Sequence, residues 1–359
     1  MDVRIPYGAY LASLIAEAST AAGRLLDLDE DTRARLAASA ARSSARLSAR
    51  LDGSPLEDAT ADAVDAGRWQ RPAEVMAGQQ SRGWAAALRI DGMATQDVAA
   101  VEYDNLVRAH AREHEWADRL FDEPLQVLSE VHAAVSAGLV DPDVAGRPRR
   151  TEQAVHDGAQ GRVIFNTPAP DALPRLLDGL QRWLRGTDSE ASTAHPAPVV
   201  AAVVHEHLLQ WQPYESSNGR VARAAARLVL RAKGMDPAGL AVPEHRWAAE
   251  PGAYYGEVAA TLRRRGDLGP WTERHTEALV EALHRVATAA GLTPAADEPG
   301  DRARRAVATM ASGETITVAD HAARWGISRE AAWSDLRSLA VYGHLEREPK
   351  TLGRRFRRP

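Results

Sequence analysis

The chain has 359 residues, a net charge of -5 and no cysteine, which excludes disulfides, thiolate metal ligands and a cysteine nucleophile and fits a reducing compartment such as the cytosol. Its length calls for two or three folded units. Basic charge comes from 42 arginines and only two lysines, Lys233 and Lys350; with the total near balance, only local clusters can speak for a polyanionic partner. The start, Met1 to Pro6, lacks a basic segment followed by an apolar one, and no later run has the length of a membrane span, so neither export nor an anchor is expected.

In chain order, Tyr7 to Gly53 reads as two Ala-, Leu- and Arg-rich helices interrupted by the acidic turn Asp27 to Asp31 and stopped at Gly53. Helical periodicity returns from Val98 to Ala117 and from Pro124 to Ala137. Gly161 to Asn166 is short, β-branched and flanked by turn residues, which predicts a small hairpin, the one strand signal before the C-terminal region. Helices follow over Leu173 to Leu184, Pro198 to Gln210 and Val221 to Lys233, the last closed by Gly234, and two more end near Ala290. Gly291 to Gly300, rich in Pro, Gly and acid, reads as a linker. Beyond it come a helix from Arg302 to Ala311, a strand at Ile316 to Val318, a helix ending at Gly326, a Ser328-capped helix to about Tyr342, and a hairpin from His344 to Arg358.

The stretch Gln212-Pro213-Tyr214-Glu215-Ser216-Ser217-Asn218-Gly219-Arg220-Val221-Ala222-Arg223 joins one helix to the next. Asn218 and Gly219 are the residue types that most readily take left-handed backbone angles, which predicts converging amides that form an anion nest. The helix start adds positive potential, and Arg220 and Arg223, three apart, can grip phosphate oxygens in bidentate fashion. The same residues serve equally as an ordinary Ser/Asn cap with solvated arginines.

This stretch resembles the motif of the Fic (Fido) family, His-Pro-Phe-x-Asp/Glu-Gly-Asn-Gly-Arg-x-x-Arg, with Pro213, Asn218, Gly219, Arg220 and Arg223 in register and Tyr214 in place of Phe. His205 also falls where many Fic proteins carry histidine, and Arg162 to Pro168, centred on Val163, Ile164 and Phe165, resembles the family's flap. The resemblance covers most of residues 1–290. It implies a mainly α fold, a helical bundle with one β-hairpin flap, and a nucleotidyltransferase reaction moving AMP from ATP onto a hydroxyl of a target protein. Ser217, Asn218, Gly219, Arg220 and Arg223 would hold the nucleotide. Ser48-Ala49-Arg50-Leu51-Asp52-Gly53 resembles the family's inhibitory pattern, Ser/Thr-x-x-x-Glu-Gly/Asn, which implies that Asp52 pairs with Arg223, through a closer helix or a bridging water because Asp is one methylene short.

Three departures bear on the chemistry. Gln212 stands at the catalytic histidine position, and an amide takes up no proton near neutral pH, a loss of about 10²- to 10⁴-fold where a general base is needed. Ser216 stands at the carboxylate position for Mg²⁺ and offers one neutral oxygen to an ion that prefers charged ligands, so metal binding is expected to weaken. Ser217 replaces a glycine. His205 lies two turns, roughly 10 Å, from Gln212 and is too far to replace the base. The expectation is a nucleotide- or phosphate-binding protein with weak, altered or lost transfer.

Other signals are weighed lower. His110-Ala-Arg-Glu113-His114 matches the inverted zinc-protease pattern, but the charged run reads better as a solvated helix face. Trp183, Trp211 and Trp247 read as packing. The C-terminal region resembles the winged-helix modules of some Fic proteins; Arg347, Lys350, Arg354, Arg355, Arg357 and Arg358 suit a phosphate backbone, whereas Glu330 and Asp335 beside Arg329 and Arg337 make the expected recognition helix mixed. The organisation expected is an N-terminal helical region over 1–97, a Fic-like core over 98–290, a linker over 291–301 and a winged helix over 302–359. Expected partners are a nucleotide, a target protein at the flap, DNA at the winged helix and a second copy of the chain. The rival reading is a non-catalytic DNA-binding regulator, and a third is an enzyme of changed chemistry on the same cradle.

Overall fold

The computed structural model describes residues 3, 5–71, 95–156, 162–187, 191–292, 300–341, 344–348 and 355–359. The chain divides into two compact units, residues 1–283 and 284–359. Among the described residues no helix is long and apolar enough to cross a membrane.

The first unit is helical: α1 (Ala9–Leu25), α2 (Glu30–Leu51), α3 (Asp58–Asp65), α4 (Thr95–Ala111), α5 (Glu113–Arg119), α6 (Pro124–Val135), α7 (Leu173–Leu184), α8 (Ala197–Trp211), α9 (Asn218–Ala232), α10 (Glu244–Ala249), α11 (Pro251–Arg263) and most of α12 (Gly269–Ala289), whose end lies beyond residue 283. Asp29 caps α2 by accepting from the Thr32 amide at 2.8 Å, which satisfies one of the free donors of the first turn. α8 is the buried centre: Val199, Val200, Val203, Val204, Leu208 and Leu209 are all inaccessible, and it packs along α9. A helix apolar all round belongs inside.

Among the described residues of this unit, β1 (Ala154–His156) pairs antiparallel with β2 (Val163–Asn166), Val155 opposite Phe165. Its first strand carries no sequence signal, because Ala-Val-His is too short to show alternation. Phe165 is buried while Val163 is half exposed. Gly161, where the expected hairpin segment begins, lies outside the described residues. The segment after Gly234 forms three helices, α10 to α12, where periodicity predicts two. Pro251 at the first position of α11 starts a new helix without losing a needed amide.

The second unit contains α13 (Asp301–Ala308), β3 (Thr315–Thr317), α14 (Val318–Trp325), α15 (Arg329–Val341), β4 (Glu346–Arg347) and β5 (Arg355–Arg357). Its antiparallel sheet has the order β3-β5-β4, around a core that includes Ile316, Leu336, Leu339, Leu345 and Phe356. Thr317 and Asp320 form a reciprocal capping box at the start of α14, and Gly326 ends it at φ 61. Asp335 turns inward to Arg302 (2.6 and 2.9 Å) and to the buried His321 (2.9 Å). Two of the hairpin's charges are also taken up locally: Arg357 pairs with Glu346, and Arg358 donates to the carbonyls of Val307 and Met310. Lys350, Arg354 and the linker residues 293–299 lie outside the described residues.

Candidate functional site

The loop between α8 and α9 is held by backbone geometry that the residue types alone mislead about. The left-handed positions are Gln212 (φ 46) and Ser217 (φ 59), and Asn218 and Gly219 are the first helical residues of α9. The expected left-handed pair is therefore displaced. The reason lies in the Asn218 side chain, which accepts from the Tyr214 amide and donates to the Tyr214 carbonyl, both at 2.8 Å. That two-point clamp closes the loop from the helix side and leaves the kink to Ser217, at a strain cost of about 1 kcal/mol. Gly219 is needed for room: a Cβ there would stand 2.5 Å from Asp52 Oδ1 and 3.0 Å from Arg223 Nη1.

Both motif arginines are buried and already engaged. Arg223, with no exposed surface, donates to Asp52 Oδ1 at 2.8 Å and to the side-chain and backbone oxygens of Ser48, each at 2.8 Å. The shorter aspartate reaches the guanidinium directly, with Gly219 and the Gly53 turn (φ 83) giving the approach. Arg220 reaches Asp52 Oδ2 at 3.3 Å through Nε, Ser217 Oγ at 3.2 Å through Nη1, and Glu102 through Nη2. Tyr255 donates its hydroxyl to Asp52 Oδ1 at 3.0 Å. Burial pulls the Arg223 pKa down, but the charge and hydrogen bond of Asp52 together with Tyr254 and Tyr255 outweigh it and the net shift is upward; for Arg220 burial wins and the shift is downward. Glu102, Tyr255 and the carboxylates beyond them carry no motif signal, since each lies on a segment distant in sequence.

The seam continues along α9. Arg227 donates to Glu113 at 2.9 Å and to Glu244 at 2.6 Å, and Ser44 donates to Glu244 at 2.9 Å. Ser44, Ser48 and Asp52 repeat every four residues, so α2 lays a small polar face against the arginines of α9.

Arg149 is a second residue that sequence reasoning missed. It is 2% exposed and donates to the carbonyls of Gln212 (2.7 Å), Thr151 (2.6 Å), Pro168 (2.6 Å) and Trp211 (3.3 Å) and to Thr167 Oγ1 (3.0 Å), while its own amide donates to Pro213 O at 2.8 Å. One planar guanidinium thus ties the hairpin base to the loop. Burial lowers its pKa, opposed by Glu152 and Glu215.

The remaining candidate residues divide plainly. Gln212 Nε2 donates to Leu209 O at 2.7 Å, folding back onto the end of α8. His205 is buried between the Tyr254 hydroxyl (2.6 Å) and His275 (3.1 Å), and burial lowers its pKa well below the ordinary value. His132 stacks on Tyr214 with ring centroids 4.1 Å apart and accepts from the Gly146 amide at 2.7 Å; burial, partly offset by the nearby Ser216 backbone, lowers its pKa to about 4. Neither is presented as a base. Glu215 is spent on the Arg150 amide (2.9 Å) and the Thr151 hydroxyl (2.5 Å), and Ser216 Oγ lies 3.4 Å from Ser217 Oγ. This donor set does not fit Mg²⁺, which needs charged oxygens free to converge.

The solvated-face reading of His110 to Trp116 holds for Arg112, His114 and Glu115, which are exposed, but not for the whole stretch. The helix breaks at Arg112, Glu113 and Trp116 are buried, and Glu113 binds His110 (3.2 Å) as well as Arg227. Among the described residues no group of three or more His, Cys, Asp or Glu could hold a metal. Burial raises the Glu113 pKa, but Arg227 and His110 prevail and hold it at about 2, against 4.5 when free. A carboxyl depressed in the fold stabilises fully above its unfolded value and loses that contribution as pH falls toward its folded value. About 3 kcal/mol should therefore disappear between pH 4.5 and 2. Urea titrations across that range should show a steep acid limb that Glu113→Gln flattens; parallel limbs would refute the assignment.

The fold and site define a helical protein with a buried arginine pair at a helix start, closed by a carboxylate from the same chain. Residues 122–230 match the model of the Fic/DOC family. Among curated proteins it is similar to Protein adenylyltransferase Fic of Nematostella vectensis (32% identical over 110 residues, 31% of this chain and 23% of that protein) and of Drosophila melanogaster (30% over 150 residues, 42% and 27%). It is also similar to Protein adenylyltransferase fic-1 of Caenorhabditis elegans (31% over 157 residues, 43% and 27%). The chain thus spans 23–27% of the length of these relatives. Among solved structures, a Fic family protein from Desulfovibrio desulfuricans G20 shares the fold over 100% of this chain and 98% of its own, at 19% identity and a TM-score of 0.61. Residues 134–508 of Fic-1 from C. elegans do so over 78% and 73%, at 18% identity and a TM-score of 0.52.

Proposed function

We infer that this chain is a Fic-fold nucleotide-binding protein held in a self-blocked state, with AMP transfer weak or lost. The observation that carries this reading is the Asp52 carboxylate, bound at once by Arg220, Arg223 and Tyr255 beside the free amides of the α9 start. A carboxylate gripped there stands in for an oxyanion, and the absent Cβ at Gly219 leaves it room. Once Asp52 withdraws, the residues fit a nucleotide's phosphates: the amides of Ser217 to Arg220 and two guanidiniums supply the donors. ATP, when bound, supplies the transferable AMP group. Gln212 cannot accept the target's proton, and no step is assigned to a metal. Val163, Ile164 and Phe165 would meet a target peptide at the hairpin edge.

Labelling with radiolabelled ATP tests this reading. The native chain should show almost none, and the combination Asp52→Ala, Gln212→His and Ser216→Asp should gain at least tenfold. Strong labelling of the native chain, or none in the combined variant, would reject it.

A second reading concerns the C-terminal unit, whose order of three helices and a hairpin supports a winged helix. We assign α15 a contact with duplex DNA, because Asp335 is withdrawn into its pairs with Arg302 and His321. With Arg357 and Arg358 engaged internally, binding should be weak and salt-sensitive. Fluorescence anisotropy with a labelled duplex checks this, and no binding at 50 mM salt would remove the DNA role.

A further inference from the structure

We propose that Asp52 and Glu102, two carboxylates on the same guanidinium, have opposite roles: Asp52 occupies the anion position, whereas Glu102 positions Arg220 to receive the anion. The inference rests on the nucleotide-binding reading and extends it to a residue outside the motif.

The two acids sit in different mechanical settings. Asp52 is the C-cap of α2, its side chain is 14% exposed, and the Gly53 turn follows it. A small backbone adjustment there releases it. Glu102 is in the middle of α4, its side chain is 3% exposed, and its Oε2 has no hydrogen-bond partner among the described residues. The next turn of α4 is fastened: Asn105 donates to the carbonyls of Val135 (3.3 Å) and Ala137 (2.9 Å), and Arg71 binds both Asp104 (2.7 Å) and Asn105 (2.9 Å). Glu102 thus projects from a fastened segment, without the turn that follows Asp52.

The donors that remain when Asp52 withdraws complete the argument. Arg220 keeps Glu102 and Ser217 Oγ, and Arg223 keeps both oxygens of Ser48. Arg223 Nη2 and the Tyr255 hydroxyl, which now donate to Asp52, and Arg220 Nε, 3.3 Å from it, stay at the vacated position; Arg220 Nε and Arg223 Nη1 have no hydrogen-bond partner among the described residues and are open to an anion. Donors locked by supporting contacts bind an anion without reordering, which is where preorganised sites gain affinity. If charge alone mattered, neutralising Glu102 would leave the cradle more positive and strengthen anion binding. If positioning matters, the same change frees Arg220 and weakens it. The two roles therefore differ in sign.

The experiment measures ATP and pyrophosphate affinity by calorimetry in full-length Asp52→Ala, with and without Glu102→Gln, and repeats the comparison in an Arg220→Met background. Glu102→Gln should weaken binding at least tenfold when Arg220 is present and have no further effect when it is absent. That non-additivity is the signature of action through Arg220, which a general loss of stability would not give. Should Glu102→Gln fail to fold, Glu102→Asp carries the same comparison, since it keeps the charge and retracts it by one methylene. Equal or tighter binding, or equal losses with and without Arg220, would overturn the positioning role while leaving the functional reading intact. No binding by Asp52→Ala itself would overturn both.

Discussion

Asp52→Ala should melt roughly 5–10 °C below the native protein in plain buffer and regain most of that loss in millimolar ATP or pyrophosphate. Its carboxylate lies against two buried guanidiniums and the Tyr255 hydroxyl. Removing one member of such a buried set typically costs about 3 kcal/mol, because the charges left behind cannot reach water. An anion present at about a thousandfold above its Kd returns about 4 kcal/mol by binding only the folded state. The native protein should respond far less to either ligand, since its own carboxylate competes for the same donors. Differential scanning fluorimetry across a ligand series decides the matter. Equal ligand responses in the two proteins would mean that Asp52 blocks nothing.

Arg149→Met should cost about 4 kcal/mol and loosen the loop and hairpin base together. A bond from a charged donor is worth about 1.5–3 kcal/mol and such bonds do not add, so the total falls well below five times that figure. The acceptors lie on Thr151, Thr167, Pro168, Trp211 and Gln212, so their loss unties three stretches of chain at once. Arg149→Lys should recover little, because a compact ammonium cannot serve acceptors spread around a planar fork. Urea denaturation gives the stability, and hydrogen exchange should show protection lost at residues 149–153 and 211–216. A loss below about 0.5 kcal/mol would mean the acceptors find water instead.

Most helices were legible because apolar residues three and four apart mark a buried stripe whatever it packs against. The exceptions have local causes. The helix expected over Val98 to Ala117 breaks at Arg112 because Glu113 turns inward to Arg227, a partner 114 residues away. The short α3 and the strand Ala154–His156 offer too few residues for any period to appear. Around the loop, the residue types correctly mark a kinked helix start but assign the left-handed angles to Asn218 and Gly219. Only the contact of Asn218 with Tyr214 and of Gly219 with Asp52 reveals what those two residues are for.

By itself the sequence determined the helical class, the arginine spacing on α9 and the missing proton acceptor at Gln212, since periodicity and functional-group chemistry are local properties. The tertiary structure alone decided that Arg220 is shared between Asp52 and Glu102, that Arg149 fastens the loop, and that Asp335 faces inward. Charge pairing depends on which distant segments the core brings within about 3 Å. No spacing rule along one chain records that distance.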